Sequence, residues 1–400
     1  MKARLLIRRK RQSGMALLVA IVTMTIMTVL ITEITYVSNM RLITAGNQRD
    51  RVQAYWLAKS GVGIYNLVLA ANKELGNNSM IQQFGLGDSL WQMVPVLNTG
   101  LMRMLFASEA PGSDVSDEAL EAFKKDQVVA DEIVEASREG SLFAKKNFLD
   151  FEGDFTAEIQ DTESKIDLNQ LSKELGASST VQDSVIAQRL YSLMSGEEND
   201  QWFLERNLDR WELIGNIKDW VDNDSLRSAG LGGYEDALYV NREPSYMTKN
   251  AKFDTIDELR LVDGWDGEVF EKFRERLTIW SNGKFNLNSF DEEMHRALIR
   301  AAALTQPSDS VLDICFAGTD GSVLSVWDIA TFNNAKGYGD FVLSNCGIEL
   351  ETSKITNLTK TSKVFVISST GLVGSSSVTI TTVQDYTRGV VGNTKYYRIE

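Results

Sequence analysis

The chain has 400 residues, of which 43% are hydrophobic and 24% are charged, with only four prolines. This composition indicates folded domains, and a chain of this length is expected to hold two or three of them. The net charge is −14, and the first fourteen residues hold six Lys or Arg and no acid, which leaves −20 for the remainder. An acidic body lacks the basic surface that phosphate backbones require, so we expect no nucleic-acid partner.

The N-terminus combines a basic segment with a long apolar one. Met15 to Thr32 are eighteen residues without a charge, roughly 27 Å as a helix, which matches the hydrocarbon core of a bilayer. Three interpretations compete: a signal anchor, a cleaved secretory signal peptide and a pilin-like leader. The run is longer than the usual apolar region of a signal peptide, and no small-x-small cleavage site follows it. The basic flank is expected to stay in the cytoplasm and the rest to be exported.

The third interpretation depends on Ser13-Gly14, which directly precedes the apolar helix. This arrangement resembles the leader of type IV pilin-like proteins, in which a prepilin peptidase cuts after the glycine and methylates the new N-terminus. The resemblance implies cleavage after Gly14 and methylation of Met15. Most pilin-like helices carry a glutamate at the fifth mature position, which here is Val19. A carboxylate in apolar surroundings needs a compensating partner amine, which no subunit supplies above the tip of a filament, whereas valine needs none. We therefore expect this chain to cap a filament, the alternative being that Val19 is one more lipid-facing apolar residue.

The exported part begins with an amphipathic helix. Apolar residues recur at steps of three and four from Arg41 to Leu75, and we expect Trp56, Ile64 and Leu67 to pack against a sheet. Alternating residues predict a strand at 155–160, and β-branched runs predict three C-terminal strands in an antiparallel meander, at 363–368, 377–383 and 395–399.

A repeated string organises the region between these strands. The pattern K-[IF]-[DN]-L-N occurs at 165–169 and at 284–288, and in each copy the last asparagine, Asn169 or Asn288, or in the second copy the following Ser289, is predicted to cap a helix. Apolar periodicity predicts four helices between or beside the two copies, at 181–194, 211–221, 255–262 and 268–277.

The sequence offers few residues or motifs that could support enzymatic catalysis. His295 is the one histidine, lies in a charged helical stretch and is expected to be exposed rather than catalytic. Phosphate-binding, nucleophile-elbow and C-x-x-C patterns are absent from the sequence. The segment Asp257–Gly264 is similar to a helix-hairpin-helix, but Asp263, Asp266 and Glu268 would repel a DNA phosphate there.

The stem residues 49–58, the string DWVDND at 219–224 and the repeated KFNLN at 284–288 together resemble the type II secretion system protein K family. That resemblance implies an α+β fold, in which a pilin-like N-terminal transmembrane and amphipathic helix packs on an antiparallel sheet, with a large helical insert of the SAM-like or helix-hairpin-helix-like kind. The predicted divisions are a leader at 1–14, a transmembrane helix at 15–38, a stem helix at 39–76, a pilin-like region with a variable insertion at 77–171, a helical insert at 172–283, and a second strand-helix unit with the C-terminal sheet at 284–400.

Two further sites are expected in the exported part. Cys315 and Cys346, with thirty residues between them, are expected to form a disulfide, the alternative being two buried thiols. Carboxylates surround a Gly- and Ser-rich loop at 225–233 without EF-hand spacing, and calcium binding is known in the resembled family. We therefore expect a calcium site there, the alternative being a solvated acidic loop. Its candidate ligands are Asp219, Asp222, Asp224, Glu235 and Asp236.

The resemblance implies a non-enzymatic minor pseudopilin, single-pass in the inner membrane with a cytoplasmic N-terminus and a periplasmic body. It would act at the pseudopilus tip in assembly, length control and protein export across the outer membrane. The implied partners are the I- and J-type minor pseudopilins, the major pseudopilin and the prepilin peptidase. The alternatives are a minor pilin of a type IV pilus or competence system, and a membrane-anchored periplasmic hydrolase.

Overall fold

The structure is a computed structural model that describes residues 13–76, 90–107, 151–173, 180–228, 232–289, 291–317, 327 and 331–400. Residues 1–12 of the predicted leader and most of the predicted insertion at 77–145 lie outside this description.

One helix, α1 (Ser13–Gly76), runs without interruption for 64 residues. No proline occurs within it to remove a backbone hydrogen bond. Its N-terminal part is long and apolar enough to cross a membrane, and none of the residues that the structure describes buries that segment. The predicted transmembrane and stem helices are therefore one continuous rod.

The main sheet is formed by β1 (Val96–Asn98), β2 (Asp154–Asp161), β7 (Val364–Val373), β8 (Ser376–Asp385) and β9 (Asn393–Ile399). These five strands are antiparallel and lie in the order β1-β2-β7-β8-β9. Two short helices, α2 (Leu90–Met93) and α3 (Thr99–Ala107), flank the edge strand β1. The predicted C-terminal meander is confirmed, because β7, β8 and β9 pair consecutively.

The stem half of α1 packs on one face of this sheet. The contact is close because Gly61 and Gly371 lie where an added Cβ would collide with the sheet and with the helix backbone, respectively. Buried residues of the helix include Ala58 and Tyr65, and the Tyr65 hydroxyl donates to the Ala157 carbonyl over 3.2 Å. The prediction that Trp56 and Leu67 pack on the sheet is wrong. They are 56% and 72% exposed, because the helix turns its small residues toward the strands.

The part of the chain between β2 and β7 forms a helical body. Its α-helices are α4 (Val185–Leu193), α5 (Glu197–Arg206), α6 (Arg210–Val221), α7 (Gly267–Phe273), α8 (Glu292–Ala302), α9 (Asp309–Phe316) and α10 (Ala335–Cys346). Its 3₁₀ helices include Val181–Asp183, Glu235–Leu238 and Ile256–Leu261. This body has its own hydrophobic core, separate from the core between α1 and the sheet. The α+β class predicted from the sequence is confirmed.

The two copies of the repeated string form two short strands, β3 (Ile166–Asp167) and β5 (Phe285–Asn286). Each pairs in parallel with a later strand, β4 (Leu277–Thr278) and β6 (Leu358–Thr359) respectively. The predicted helix caps are wrong. Asp167 rather than Asn169 caps the helix after β3, and Asp291 rather than Ser289 caps α8, because the aspartate oxygens reach the free amides directly.

Candidate metal centre

The candidate centre begins at the C-terminal end of α6. Asp209 caps the start of this helix by accepting from the amides of Trp211 and Glu212, over 2.7 and 3.2 Å. The last turn buries Trp220 in the core of the helical body, and the same burial carries Asp219 inward until it is 1% exposed. Two carboxylates are thus brought to the helix end, since Asp222 follows three residues later on the same side.

The loop after α6 folds back to bring in a third acid. Leu226 and Tyr234 form an antiparallel bridge, and the amide of Glu235 donates to the Ser225 carbonyl over 3.3 Å. Asp222, Asp224 and Glu235 each present a carboxylate oxygen, and these oxygens lie within 4.8 Å of one another. The loop therefore gathers acids that are up to thirteen residues apart in the sequence.

Several oxygens of this cluster are buried without a partner. Among the described residues, Asp219 Oδ2, Asp222 Oδ1 and both carboxylate oxygens of Glu235 accept no hydrogen bond. Glu235 is 1% exposed and Asp222 is 7% exposed. An unpartnered buried acceptor costs about 1–3 kcal/mol, more if charged, so this arrangement requires a compensating cation or a proton.

The electrostatics agree with that requirement. Burial raises the pKa of Glu235 to about 8, and repulsion from Asp219, Asp222 and Asp224 adds to the effect. Burial likewise raises the pKa of Asp219 to about 6. Burial also raises the pKa of Asp222, although Lys218 Nζ donates to Asp222 Oδ2 and opposes the shift. Lys218 and Arg227, which also forms an ion pair with Glu212, are too few positive charges to neutralise the four carboxylates.

The donor set fits a hard divalent cation. The cluster offers only oxygen ligands, which Ca²⁺ takes in groups of six to eight with flexible geometry, whereas Zn²⁺ prefers nitrogen and sulfur. Asp222, Asp224 and Glu235 would hold the ion. Asp219 is near enough for its charge to raise the pKa of Glu235, and its Oδ2 is buried without a partner among the described residues. A bound cation would supply charge compensation and would fix the loop to the end of α6.

The region that contains this carboxylate cluster is similar to a known protein family. Residues 164–282 match the family described as type II secretion system (T2SS), protein K. We call these matched residues, 164–282, the protein K domain. The family resemblance predicted from the sequence is confirmed.

Two proteins that are similar in sequence are named type II secretion system protein K. The chain is 30% identical over 91 residues to type II secretion system protein K of Klebsiella pneumoniae, a match that covers 23% of this chain and 27% of that relative. It is 21% identical over 292 residues to protein K of Aeromonas hydrophila, covering 72% of this chain and 71% of the relative. It is also similar to a chain in the crystal structure of the GspK-GspI-GspJ complex of enterotoxigenic Escherichia coli, with a TM-score of 0.46, 15% identity, and coverage of 62% of this chain and 80% of that one.

Asp236, also predicted as a ligand, has another role in the protein K domain. Its Oδ1 accepts from the Thr248 amide over 2.9 Å and from the Thr248 hydroxyl over 2.6 Å. These hydrogen bonds lower the pKa of Asp236, whereas the pKa values of Asp219, Asp222 and Glu235 are raised. We therefore remove Asp236 from the ligand set and assign it to holding the segment that follows the short helix Glu235–Leu238.

The other residues singled out by the sequence are dispersed. Gly14, Met15 and Val19 lie in the first turns of α1, and Val19 is 55% exposed. The structure joins Cys315 of α9 to Cys346 of α10, with 4.8 Å between their Cα atoms. These residues belong to different parts of the molecule from the carboxylate cluster.

His295 is not exposed as predicted. It is 1% exposed, its Nδ1 lies 3.1 Å from the Tyr338 hydroxyl, and burial lowers its pKa to about 4. The prediction of exposure was based on the charged residues beside His295 in the sequence, but its own position in α8 faces the core.

Sequence reasoning missed two buried carboxylates at the passage from the sheet into the protein K domain. Asp161 is 5% exposed and Glu163 is 0% exposed. Asp161 Oδ2 accepts from the Ser362 hydroxyl over 2.5 Å, and Glu163 Oε2 accepts from the Lys363 amide. Burial is the largest cause that raises the pKa of Glu163 to about 7. The sequence signal that could have indicated these two acids is their position directly after the strand predicted at 155–160.

Proposed function

We propose that this chain is a non-enzymatic minor pseudopilin of the type II secretion system. The observation that carries the proposal is the insertion of a protein K domain into a sheet packed on a helix whose first half is long enough to span a membrane. Such a helix suits assembly beside other helices, and the inserted body enlarges the exported end. Its role is in assembly, length control and protein export across the outer membrane.

The proposed partners follow from the family resemblance. They are the I- and J-type minor pseudopilins and the major pseudopilin, with the prepilin peptidase as the processing enzyme. The chain would cross the inner membrane once, with its basic N-terminus in the cytoplasm and its body in the periplasm. We propose the division into leader, transmembrane helix, stem, pilin-like region, helical insert and C-terminal unit on the same basis.

We propose that cleavage after Gly14 exposes Met15 for methylation and leaves Val19 at the fifth position. An apolar side chain there needs no partner amine from a subunit above, which supports a place at the tip rather than along the shaft. A cap is present once per filament, so this chain should be far less abundant than the major subunit.

We also propose that the exported body binds calcium through Asp222, Asp224 and Glu235, with Asp219 contributing to the same site. The support is the set of orphaned, buried oxygens and the absence of enough nearby positive charge among the described residues to neutralise them. The ion would stabilise the domain and take no part in a reaction.

Affinity purification of the full-length chain from native membranes, followed by quantitative mass spectrometry, tests the principal proposal. We expect I- and J-type pseudopilins in near-equal amounts and the major pseudopilin in excess. Recovery without any pilin-like protein would refute the assignment. Equal spacing of many copies along isolated filaments would refute the cap alone.

A further inference from the structure

Two segments of the chain cross between the main sheet and the helical body. One leads from β2 to β3 and contains Asp161 and Glu163, and the other leads from β6 to β7 and contains Ser362 and Lys363. The two carboxylates join these crossings, because Asp161 Oδ2 accepts from the Ser362 hydroxyl over 2.5 Å and Glu163 Oε2 accepts from the Lys363 amide. We call these four residues the joint.

The carboxylate of Glu163 is the incompletely bonded part of the joint. It is fully buried, and its Oε1 has no hydrogen-bond partner among the described residues. Both oxygens of Asp161 are bonded, since its Oδ1 accepts from the Glu163 amide over 2.7 Å. A buried carboxylate with an unbonded oxygen is much less costly when it is neutral than when it is ionised. The closed joint therefore favours a protonated Glu163.

The surroundings of Glu163 bring its ionisation close to neutral pH. Burial is the largest influence and raises the pKa of Glu163 to about 7, and the charge of Asp161 adds to the rise. The amide of Lys363 and the charges of Lys363 and Lys284 act in the opposite direction. Burial also raises the pKa of Asp161, whose charge interacts with Lys165 just before β3. Glu163 therefore changes its charge between mildly acidic and mildly alkaline pH.

An open cleft lies beside the joint. Its volume is about 840 Å³, and its lining includes Asp161, Val383 of the sheet and Trp280 of the helical body. The rings of Trp280 and Tyr396, with 5.7 Å between their centres, are in contact across it. The cleft gives the two parts room to change their relative orientation, and it gives water a route to Glu163 once the crossings separate.

We propose that the joint is a proton-controlled latch, which holds the helical body against the main sheet while Glu163 is protonated and lets the two crossings separate when Glu163 ionises. The direction follows from solvation, because the closed joint keeps water from Glu163 Oε1 whereas the open joint hydrates the charge. Acid therefore closes the joint and alkali loosens it. This inference goes beyond the proposed function and does not rest on it.

Hydrogen exchange of the full-length chain in detergent, measured by mass spectrometry at a constant, millimolar calcium concentration, tests the latch. Peptides that cover 161–165 and 360–364 report the opening of the joint. With a pKa of about 7 in the closed joint and 4.5 in the open one, their protection from exchange should fall about thirtyfold between pH 5.5 and pH 8.5, after correction for intrinsic exchange rates. Peptides from α8 and from the middle of β8 should show no such fall, which distinguishes local opening from global unfolding.

Three substitutions identify the titrating group. Glu163→Gln keeps the shape of the side chain and removes its charge, so the protection of the joint should change less than about twofold between the two pH values. Glu158→Gln, the same substitution at an exposed position of β2, is the matched control and should keep the full fall. Asp161→Asn removes a charge that raises the pKa of Glu163, so the fall should persist with its midpoint at a lower pH.

Spin labels measure whether opening of the joint frees the helical body. One label is attached at Ser375, exposed in the turn between β7 and β8, and the other at Leu204 of α5, which is 80% exposed. We expect a narrow distribution of label-to-label distances at pH 5.5 and a broader one at pH 8.5. With Glu163→Gln the distribution should stay narrow at both pH values.

Several results would overturn the latch. Equal protection of the joint at both pH values in the wild type would do so, and so would a full fall that persists in Glu163→Gln, because another group would then be titrating. An unchanged distance distribution in the wild type would show that the joint does not hold the helical body. If Glu163→Gln fails to fold, Asp161→Asn decides, since an unshifted midpoint would exclude the pair of Asp161 and Glu163 as the switch.

Discussion

The amide of Phe253 donates to the side-chain oxygen of Asn169 over 2.8 Å, across 84 residues of sequence. The Asn169 Nδ2 in turn donates to the carbonyls of Phe253 and Ile279, over 3.2 and 3.0 Å. Asn169 thus binds two distant segments to the end of β3 through three buried hydrogen bonds.

The second copy of the repeated string repeats this arrangement. Asn288 Oδ1 accepts from the Phe332 amide over 2.7 Å. Asn288 Nδ2 donates to the carbonyls of Phe332 and Lys360, over 3.0 and 2.8 Å. Since β3 and β5 also pair in parallel with later strands, the repeated string marks two related structural units.

Asn169→Ala should therefore destabilise the chain strongly. Removing the amide leaves one buried donor and two buried acceptors unpaired, and we expect a loss of about 2–3 kcal/mol in the free energy of unfolding. Urea unfolding of the chain in detergent measures it. Asn393→Ala, at an exposed position, is the control and should change stability by less than about 0.5 kcal/mol. Equal effects of the two substitutions would contradict the role assigned to Asn169.

Calcium should raise the melting temperature. At one hundred times the dissociation constant, a ligand that binds only the folded state adds about 2.7 kcal/mol of stability. Asp222→Asn and Glu235→Gln should each reduce the shift. Asp236→Asn should leave the calcium-induced shift intact, because its carboxylate is committed to Thr248. A shift that persists in Glu235→Gln would remove that residue from the site.

Without calcium, stability should fall as the pH rises. The pKa of Glu235 is raised from 4.5 to about 8 in the folded chain, so the folded state binds a proton more tightly than the unfolded state. The stabilisation from this proton is complete below pH 4.5 and is lost as the pH passes about 8. With a chelator present, the melting temperature of Glu235→Gln should therefore exceed that of the wild type by a margin that grows between pH 5 and pH 8. A constant margin would show that Glu235 does not titrate in this range.

Loss of the bond between Cys315 and Cys346 should lower stability by roughly 3–4 kcal/mol in the chain-entropy account. The double variant Cys315→Ala/Cys346→Ala is compared with the wild type by urea unfolding, with and without dithiothreitol. Reductant should destabilise the wild type and leave the double variant unaffected. Free thiols detected in the native wild-type chain would contradict the pairing.

Removal of the leader should lower the mass of the chain by a defined amount. Intact-mass analysis of the chain from native membranes should show loss of the first fourteen residues and the gain of one methyl group on Met15. A Gly14 substitution should block both changes. Retention of Met1, or a cut beyond Thr32, would exclude processing after Gly14.

The local structure and the class of fold could be predicted from the sequence alone. Apolar periodicity defined α1 almost to its ends, because an uninterrupted charge-free run and a three-to-four-residue repeat are properties of neighbouring residues. Alternation and β-branched residues located β2, β7, β8 and β9 for the same reason. The acidic loop after α6 was also recognisable, because its carboxylates are dense in the sequence.

The packing of segments that are distant in the sequence determines which side chains meet and which face of a helix or strand is covered. Packing turned Trp56 and Leu67 outward, buried His295 and assigned Asp236 to Thr248. It also joined Asn169 to Phe253 across 84 residues. Periodicity identifies the apolar faces of a helix but cannot choose between two of them, and a hydrogen bond across the fold depends on loop closure that no local pattern encodes.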